Sequence, residues 1–188
     1  KPIPSLQSID HEEKVIYLGT FSKSIAPSLR ISYMVLPLHL LKKYQESCSF
    51  YSTTVSKIQQ EVLREFIRGG YFGRHLNKMR GIYKNKHDFL VGELKKKNWV
   101  QNIAGDNAGL HVLVQVNTTL TEEEICKKAA ECGIRLMGIR EHYIHTPPEG
   151  RPVLLLGYGK PDEQEIQKGL EVLESIITGR NSNNCKKP

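Results

Sequence analysis

The sequence predicts an α/β protein whose C-terminal half forms a smaller α+β lobe. Two β-rich runs stand near the N-terminus, helical periodicities follow from about residue 38, and short strand patterns then alternate with helices up to residue 178. Because one long helical pattern separates these two kinds of segment, we expect two lobes joined by that helix.

The first two strands are predicted at 14–19 and 30–36. Both runs are rich in β-branched and aromatic residues, and a polar stretch of small residues carrying Pro27 separates them. Their apolar character predicts two buried strands of a sheet.

Three helices are predicted next, at 38–48, 54–68 and 71–97. In the second of these, apolar residues recur at helical spacing, and Gly69 and Gly70 mark its end. The third pattern is long and amphipathic, which favours one long connecting helix.

From about residue 100 to residue 178, short strand patterns alternate with helical patterns, which is typical of a small α+β lobe. Strand patterns occur at 111–116, 134–139 and 153–156. Thr121 and Glu124 form a capping-box signature for one helix, and Asp162 with Glu165 begins the last helix.

Composition sets the broad class. The chain has 188 residues, of which 39% are hydrophobic and 25% charged, as in ordinary globular proteins. The net charge of +7 leaves open a basic nucleic-acid-binding module without a cofactor, although the positive residues are spread along predicted helices and a polar tail at 179–188 that we expect to be disordered.

No apolar window is long enough to span a bilayer, and the N-terminus lacks the order of a signal peptide, so we expect a cytoplasmic protein without a membrane partner. The four cysteines include no C-x-x-C pair and no histidines at ligand spacing. The sequence therefore predicts no metal site.

The segment from Thr20 to Arg30 carries the clearest chemistry. It places Lys23 in a turn between the two strands, beside the hydroxyls of Thr20 and Ser22 and seven positions before Arg30. A lysine amine attacks an aldehyde, and hydroxyls with a guanidinium hold a phosphate, so this set suits a phosphorylated aldehyde. Attack requires the neutral amine, which calls for burial and a cationic neighbour. From spacing alone, an ordinary surface turn is the competing interpretation.

The run 15–37 resembles the lysine motif of fold type I pyridoxal phosphate (PLP) enzymes. More narrowly, it is similar to the aminotransferase-like domain of MocR-type regulators in the GntR family, whose close relatives are the class I aminotransferases. The similarity continues through Phe66-Ile67-Arg68-Gly69-Gly70-Tyr71, Gly109-Leu110-His111-Val112 and Leu154-Leu155-Leu156-Gly157-Tyr158, in the order that the family shows. It covers about residues 1–178.

This resemblance implies a role for each residue of the turn. Lys23 is the catalytic lysine that holds PLP as the internal aldimine, Arg30 binds the cofactor phosphate, and Thr20 and Ser22 are its hydroxyl donors. Ser32 stands where the family usually has glycine.

The resemblance also implies that the chain is the C-terminal part of the fold. The implied divisions are the end of the large PLP-binding domain (1–75), a connecting helix (76–99), the small α+β domain (100–178) and the tail (179–188). The parent is expected to be a homodimer, and to contact DNA only through a winged-helix domain absent from this chain.

The implied function is a PLP-binding effector domain that senses an amino compound through an aldimine; the alternative is an active class I aminotransferase. The family commonly places a substrate-carboxylate arginine on a small-domain strand, and Leu154-Leu155-Leu156-Gly157 has none. Arg140 and Arg151, in a nearby loop, are the candidates for that role, with solvent-facing loop arginines as the competing interpretation.

Overall fold

The computed structural model describes residues 4–105, 109–145 and 150–179. The chain divides into two compact units, one ending at Met79 and the other beginning at Arg80. The boundary lies within helix α3 (Tyr71–Lys95). The separate connecting-helix division at 76–99 stays a prediction, and the predicted tail lies outside the described residues from position 180 onward.

The first unit contains a two-stranded antiparallel sheet. Strand β1 (Tyr17–Thr20) pairs with β2 (Ser32–Val35), with Gly19 opposite Tyr33. Both strands lie inside the predicted runs at 14–19 and 30–36, apart from Thr20.

The prediction that these strands are buried is wrong for the described structure. Leu18 is 73% exposed and Met34 is 48% exposed. In the first unit no third strand pairs with this ribbon among the described residues, and a two-stranded ribbon alone cannot enclose its own side chains.

Three helices follow the ribbon in the predicted order. They are α1 (Leu38–Cys48), α2 (Lys57–Arg68) and the start of α3. On α2, Ile58 and Val62 are largely exposed although they share the apolar stripe of the helix. Ile31 is the one buried hydrophobic residue among the described residues up to Met79.

The second unit is built on a four-stranded antiparallel sheet. Its strands, in chain order, are β3 (Val100–Ala104), β4 (His111–Val116), β5 (Met137–Gly138) and β6 (Val153–Gly157). Their spatial order is β3-β4-β6-β5. The strand alternation predicted at 111–116 is confirmed, because Val112, Val114 and Val116 are fully buried.

Helices α4 (Glu122–Glu131) and α5 (Glu163–Thr178) complete this unit. Both capping boxes are present: the Thr121 hydroxyl accepts from the amide of Glu124, and the Asp162 carboxylate accepts from the amide of Glu165. In return, the carboxylates of the two glutamates accept from the amides of Thr121 and Asp162. These bonds fix where each helix begins.

The hydrophobic core of the second unit joins the sheet to one face of each neighbouring helix. Its fully buried members from the strands and helices are Leu94, Val112, Val114, Val116, Ile125, Ala129 and Leu154. Because α5 also buries Ile166, Leu170 and Leu173, this unit has a continuous interior of its own.

Two strand assignments differ from the sequence patterns. Strand β3 was not predicted, because Gln101 and Asn102 interrupt its apolar residues at the point where the pairing register shifts. The strand expected at 134–139 is reduced to β5, whose two residues pair with β6.

Within the described ranges, no helix combines the length and apolar character that a membrane span needs. The same ranges hold no cluster of three or more histidine, cysteine, aspartate or glutamate side chains suited to a metal ion.

Candidate functional site

The Lys23 turn, residues 20–31, connects β1 to β2 and is held by its own backbone. The amide of Phe21 donates to the carbonyl of Ile31 (2.9 Å), closing the base of the loop. Inside it, Ile25 N–H donates to Phe21 O (2.8 Å), and a short 3-10 helix spans Pro27–Leu29. Small residues and Pro27 favour these tight turns.

Lys23 lies in this turn with its side chain exposed. Among the described residues its amine has neither a hydrogen-bond partner nor an acidic partner within ion-pair distance. The burial that the sequence argument requires of this lysine is therefore not supplied by the described residues. The amine is accessible to a ligand.

Arg30 follows the 3-10 helix in the left-handed backbone region (φ 50°, ψ 32°). A non-glycine residue there carries a strain of about 1 kcal/mol, and such strain concentrates at functional sites. Its guanidinium is exposed and forms no ion pair with the described acidic residues.

The two hydroxyls of the turn differ. Thr20 Oγ1 donates to Ile31 O (3.3 Å) and accepts from Ser22 N–H (3.2 Å), so its proton is engaged within the turn. The Ser22 hydroxyl makes no hydrogen bond to any described residue. As placed, Ser22 is the freer donor for an anion, and the predicted phosphate role of Thr20 stays a prediction.

Aromatic rings hold this turn against neighbouring elements of the first unit. The Phe21 ring lies 5.0 Å from that of Tyr33 on β2 and 5.9 Å, edge-on, from that of Phe72 on α3. A hydrogen bond with Tyr17, together with partial burial, raises the pKa of Tyr33.

Gly19 permits this packing, because a Cβ there would stand 2.3 Å from the Tyr33 ring. The Tyr33 ring therefore leaves no room for a side chain at position 19, next to the Lys23 turn.

Arg140 and Arg151 lie in the second unit, and the structure brings them to one cleft. This cleft, called here the arginine cleft, has a volume of about 390 Å³, and its lining includes Glu122, Glu123 and the two arginines. Arg151 Nη1 donates to Asn117 Oδ1 (2.8 Å), and both arginine side chains are exposed.

Sequence reasoning missed the most constrained residue at this cleft, Glu122. It is 4% exposed, and its two oxygens accept the amides of Arg140 and Val153, each at 2.9 Å. A signal was present: Glu122, Ile125 and Ala129 recur at helical spacing on the buried face of α4. Glu122 is the first of three successive glutamates at the start of α4, a pattern typical of a solvent-exposed first helical turn.

The charge of Glu122 also reaches the neighbouring thiol. Burial raises the pKa of Cys126, and the carboxylates of Glu141 and Glu122 raise it further. An ionised thiol is therefore disfavoured beside this carboxylate.

The fold is that of the aminotransferases of fold type I. The chain belongs to the aminotransferase class I and II family, whose model matches residues 2–166. The family resemblance drawn from the sequence and the predicted fold class are both confirmed.

Among curated proteins, the chain is 39% identical over 176 residues to an uncharacterized HTH-type transcriptional regulator, YdeL, of Bacillus subtilis, covering 93% of this chain and 38% of that protein. It is 29% identical over 179 residues to the probable rhizopine catabolism regulatory protein MocR of Rhizobium meliloti, covering 94% and 36%. The chain thus spans less than two fifths of the length of these relatives.

A solved structure with the same fold is LysN, the α-aminoadipate aminotransferase of Thermus thermophilus, complexed with N-(5'-phosphopyridoxyl)-L-leucine. The TM-score is 0.77 at 23% identity, over 95% of this chain and 46% of that one. At this identity the likeness shows the fold.

The residues of the turn fit one end of PLP. The cofactor presents an aldehyde and a phosphate, and the turn offers an accessible amine in Lys23, a guanidinium in Arg30 and the free hydroxyl of Ser22. All three lie in the one connection between the paired strands β1 and β2.

Proposed function

We propose that this chain is the C-terminal portion of a PLP-binding, aminotransferase-like effector domain of a transcriptional regulator that senses an amino compound. The Lys23 turn carries the proposal, because it collects an amine and phosphate-binding groups between two paired strands. Family membership and the two regulators above support it.

Lys23 would hold the cofactor covalently through Nζ, and Arg30 with Ser22 would bind its phosphate; Thr20 would join them if its hydroxyl turned from Ile31 O. When bound, PLP supplies an aldehyde that condenses with amines and a ring that withdraws electrons from them. Arg140 and Arg151 are the proposed contacts for a carboxylate of the amino compound.

In the full-length protein, an amino compound that binds two arrangements of the domain unequally would shift the affinity for DNA. DNA itself would be contacted by a separate domain, as the HTH-type relatives suggest. We further propose a cytoplasmic homodimer.

An active aminotransferase is the second candidate, favoured by the fold shared with LysN. In that case Lys23 Nζ would also carry a proton to and from the α-carbon of the substrate.

One experiment on the full-length protein separates the two. DNA affinity is measured with and without a panel of amino acids and amines, for the wild type, for Lys23→Ala and for Lys43→Ala as an exposed control lysine on α1. The proposal expects a ligand-dependent shift that only Lys23→Ala abolishes. Amino-group transfer to a 2-keto acid at enzymatic rates, with DNA affinity insensitive to every ligand, would favour the enzyme instead.

A further inference from the structure

Phe21 takes part in two backbone hydrogen bonds that shape the Lys23 turn. Its amide donates to the carbonyl of Ile31 (2.9 Å), and its carbonyl accepts from the amide of Ile25 (2.8 Å). The second bond closes the segment 21–25 around Lys23, which lies at its centre. The backbone on both sides of the lysine therefore depends on where Phe21 lies.

The side chain of Phe21 is held by residues outside the turn. Its ring centroid lies 5.0 Å from that of Tyr33, at an interplanar angle of 37°, and 5.9 Å from that of Phe72, at 73°. Ring pairs attract each other at these separations and angles. Because Tyr33 belongs to β2 and Phe72 to the first turn of α3, one ring connects the turn to a strand and to a helix.

These ring contacts matter because the first unit has little other packing. Among its described residues only Ile31 is a buried hydrophobic residue, whereas Phe21 and Phe72 are half-buried. The Phe72 ring in turn lies 6.5 Å from that of Phe66 on α2. A series of rings therefore runs from β2 through the Lys23 turn to the two helices.

We propose that Phe21 is a positioning residue for the Lys23 amine, and that its ring contact with Phe72 holds it in place. The bonds within the turn give it its shape, and the rings set where the turn lies against β2 and α3. This deepens the proposed function, on which it rests for PLP as the group that the amine meets. The start of α3 becomes an element that controls the reactivity of the site.

A fixed turn favours the covalent link for an entropic reason. Lys23 Nζ makes no hydrogen bond or ion pair with the described residues, so among them only the backbone of the turn restricts it. When Nζ condenses with the aldehyde of PLP, a C=N bond forms and one water leaves, and the two groups must meet in a defined geometry. A turn that is already ordered loses less conformational freedom when this link forms.

The phosphate-binding groups of the turn depend less on the Phe21 ring. Arg30 lies between the short 3-10 helix and the buried Ile31. The amide of Ser22 donates to Thr20 Oγ1 (3.2 Å), a bond that does not involve Phe21. Loosening the ring should therefore weaken the covalent link more than the phosphate contact, which separates positioning of the amine from a general loss of structure.

The first measurement uses the full-length protein without cofactor. Phe72→Leu removes a ring but lies outside the turn, so the intrinsic exchange chemistry of the turn is unchanged. Phe50→Leu is the matched control, because Phe50 is exposed and its ring contacts Tyr51. We expect hydrogen exchange of the peptide 21–26, which contains the Ile25 amide, to become about three- to tenfold faster in Phe72→Leu, the range that one ring pair supports. Exchange should be unchanged in Phe50→Leu.

The second measurement compares two ligands by equilibrium dialysis. PLP can form the covalent link, whereas pyridoxine 5'-phosphate has an alcohol in place of the aldehyde and cannot. In Phe72→Leu the affinity for PLP should fall about three- to tenfold, while that for pyridoxine 5'-phosphate stays within about twofold of wild type. The double variant with Phe21→Leu should behave like Phe21→Leu alone, because both substitutions remove the same contact.

Circular dichroism at the assay temperature checks that each variant is folded. Phe72→Met, whose flexible side chain fills irregular gaps, takes the place of Phe72→Leu should that variant not fold. Wild-type exchange of the turn in the folded variant, or an equal loss of affinity for both ligands, would overturn the positioning role. A wild type that does not bind PLP would contradict the proposed function instead, because the exchange measurement contains no cofactor and still decides whether the rings hold the turn.

Discussion

At the scale of single residues, the candidate cofactor site consists of the Lys23 amine, the Arg30 guanidinium and the Ser22 hydroxyl. All three belong to the connection of eleven residues, 21–31, between the paired strands, so they lie close together along the chain. Lys23 would form the covalent link, and the other two would bind the anionic end of the cofactor.

Arg30 offers a test that separates charge from backbone conformation. Asparagine tolerates the left-handed region, so Arg30→Asn should leave the free energy of unfolding nearly unchanged. A charge-assisted hydrogen bond contributes about 1.5–3 kcal/mol, so the affinity of the full-length protein for PLP should fall by about ten- to a hundredfold. Equilibrium dialysis measures the affinity and urea unfolding the stability. Wild-type affinity in Arg30→Asn would exclude Arg30 as the phosphate ligand.

The sequence revealed the residues of the turn but not their surroundings. Lys23, Arg30 and Ser22 stood out because amine, guanidinium and hydroxyl occur together between two strand patterns. That the Thr20 hydroxyl is engaged with Ile31 O depends on the register of pairing, which spacing does not fix. Glu122 was missed because burial of a glutamate depends on which amides of another element face it.

At the scale of elements, local signals predicted helix starts better than strand extents. The Thr121 and Asp162 caps act through bonds three residues apart, so the sequence contains the whole interaction. Strands β3 and β5 depend on partners far along the chain. Their short or interrupted patterns therefore did not identify them correctly.

The capping box of α4 predicts a dependence on pH. Bonds from the backbone and hydroxyl of Thr121 lower the pKa of Glu124. Because the folded pKa lies below the unfolded value, this contribution is present above the ordinary glutamate pKa and is lost as pH falls through the folded value. In Glu124→Gln the amide oxygen can still accept the Thr121 N–H but does not titrate.

Thermal unfolding of wild type and Glu124→Gln between pH 7 and pH 2 measures this contribution. The stability advantage of the wild type should be constant near neutral pH and shrink in acid, below the ordinary glutamate pKa. An advantage that grows as the pH falls would show that Glu124 does not act as a capping carboxylate.

At the scale of the whole molecule, the two units differ in how much they bury. The second unit encloses residues of β4, β6, α4 and α5 in one core, whereas the first buries Ile31 and leaves Leu18, Ile58 and Val62 largely exposed. Local opening costs little free energy where few apolar contacts are made.

Hydrogen exchange of this 188-residue chain should therefore be uneven. Amides of β4 and α5 should exchange slowest, and those of α2 should exchange at least a hundredfold faster, because no described buried residue belongs to α2. Exchange is followed by mass spectrometry of peptic fragments at neutral pH. Equal protection of α2 and α5 would contradict this difference between the units.

Chemical trapping is the most direct test of whether Lys23 binds PLP covalently, as we propose. The full-length protein is incubated with PLP, reduced with borohydride and digested, and the modified lysine is identified by mass spectrometry, with Lys23→Ala and Lys43→Ala treated alike. We expect stoichiometric phosphopyridoxyl label on Lys23 in the wild type and in Lys43→Ala, and no stoichiometric label in Lys23→Ala. Label spread over several lysines, or undiminished in Lys23→Ala, would contradict the proposal.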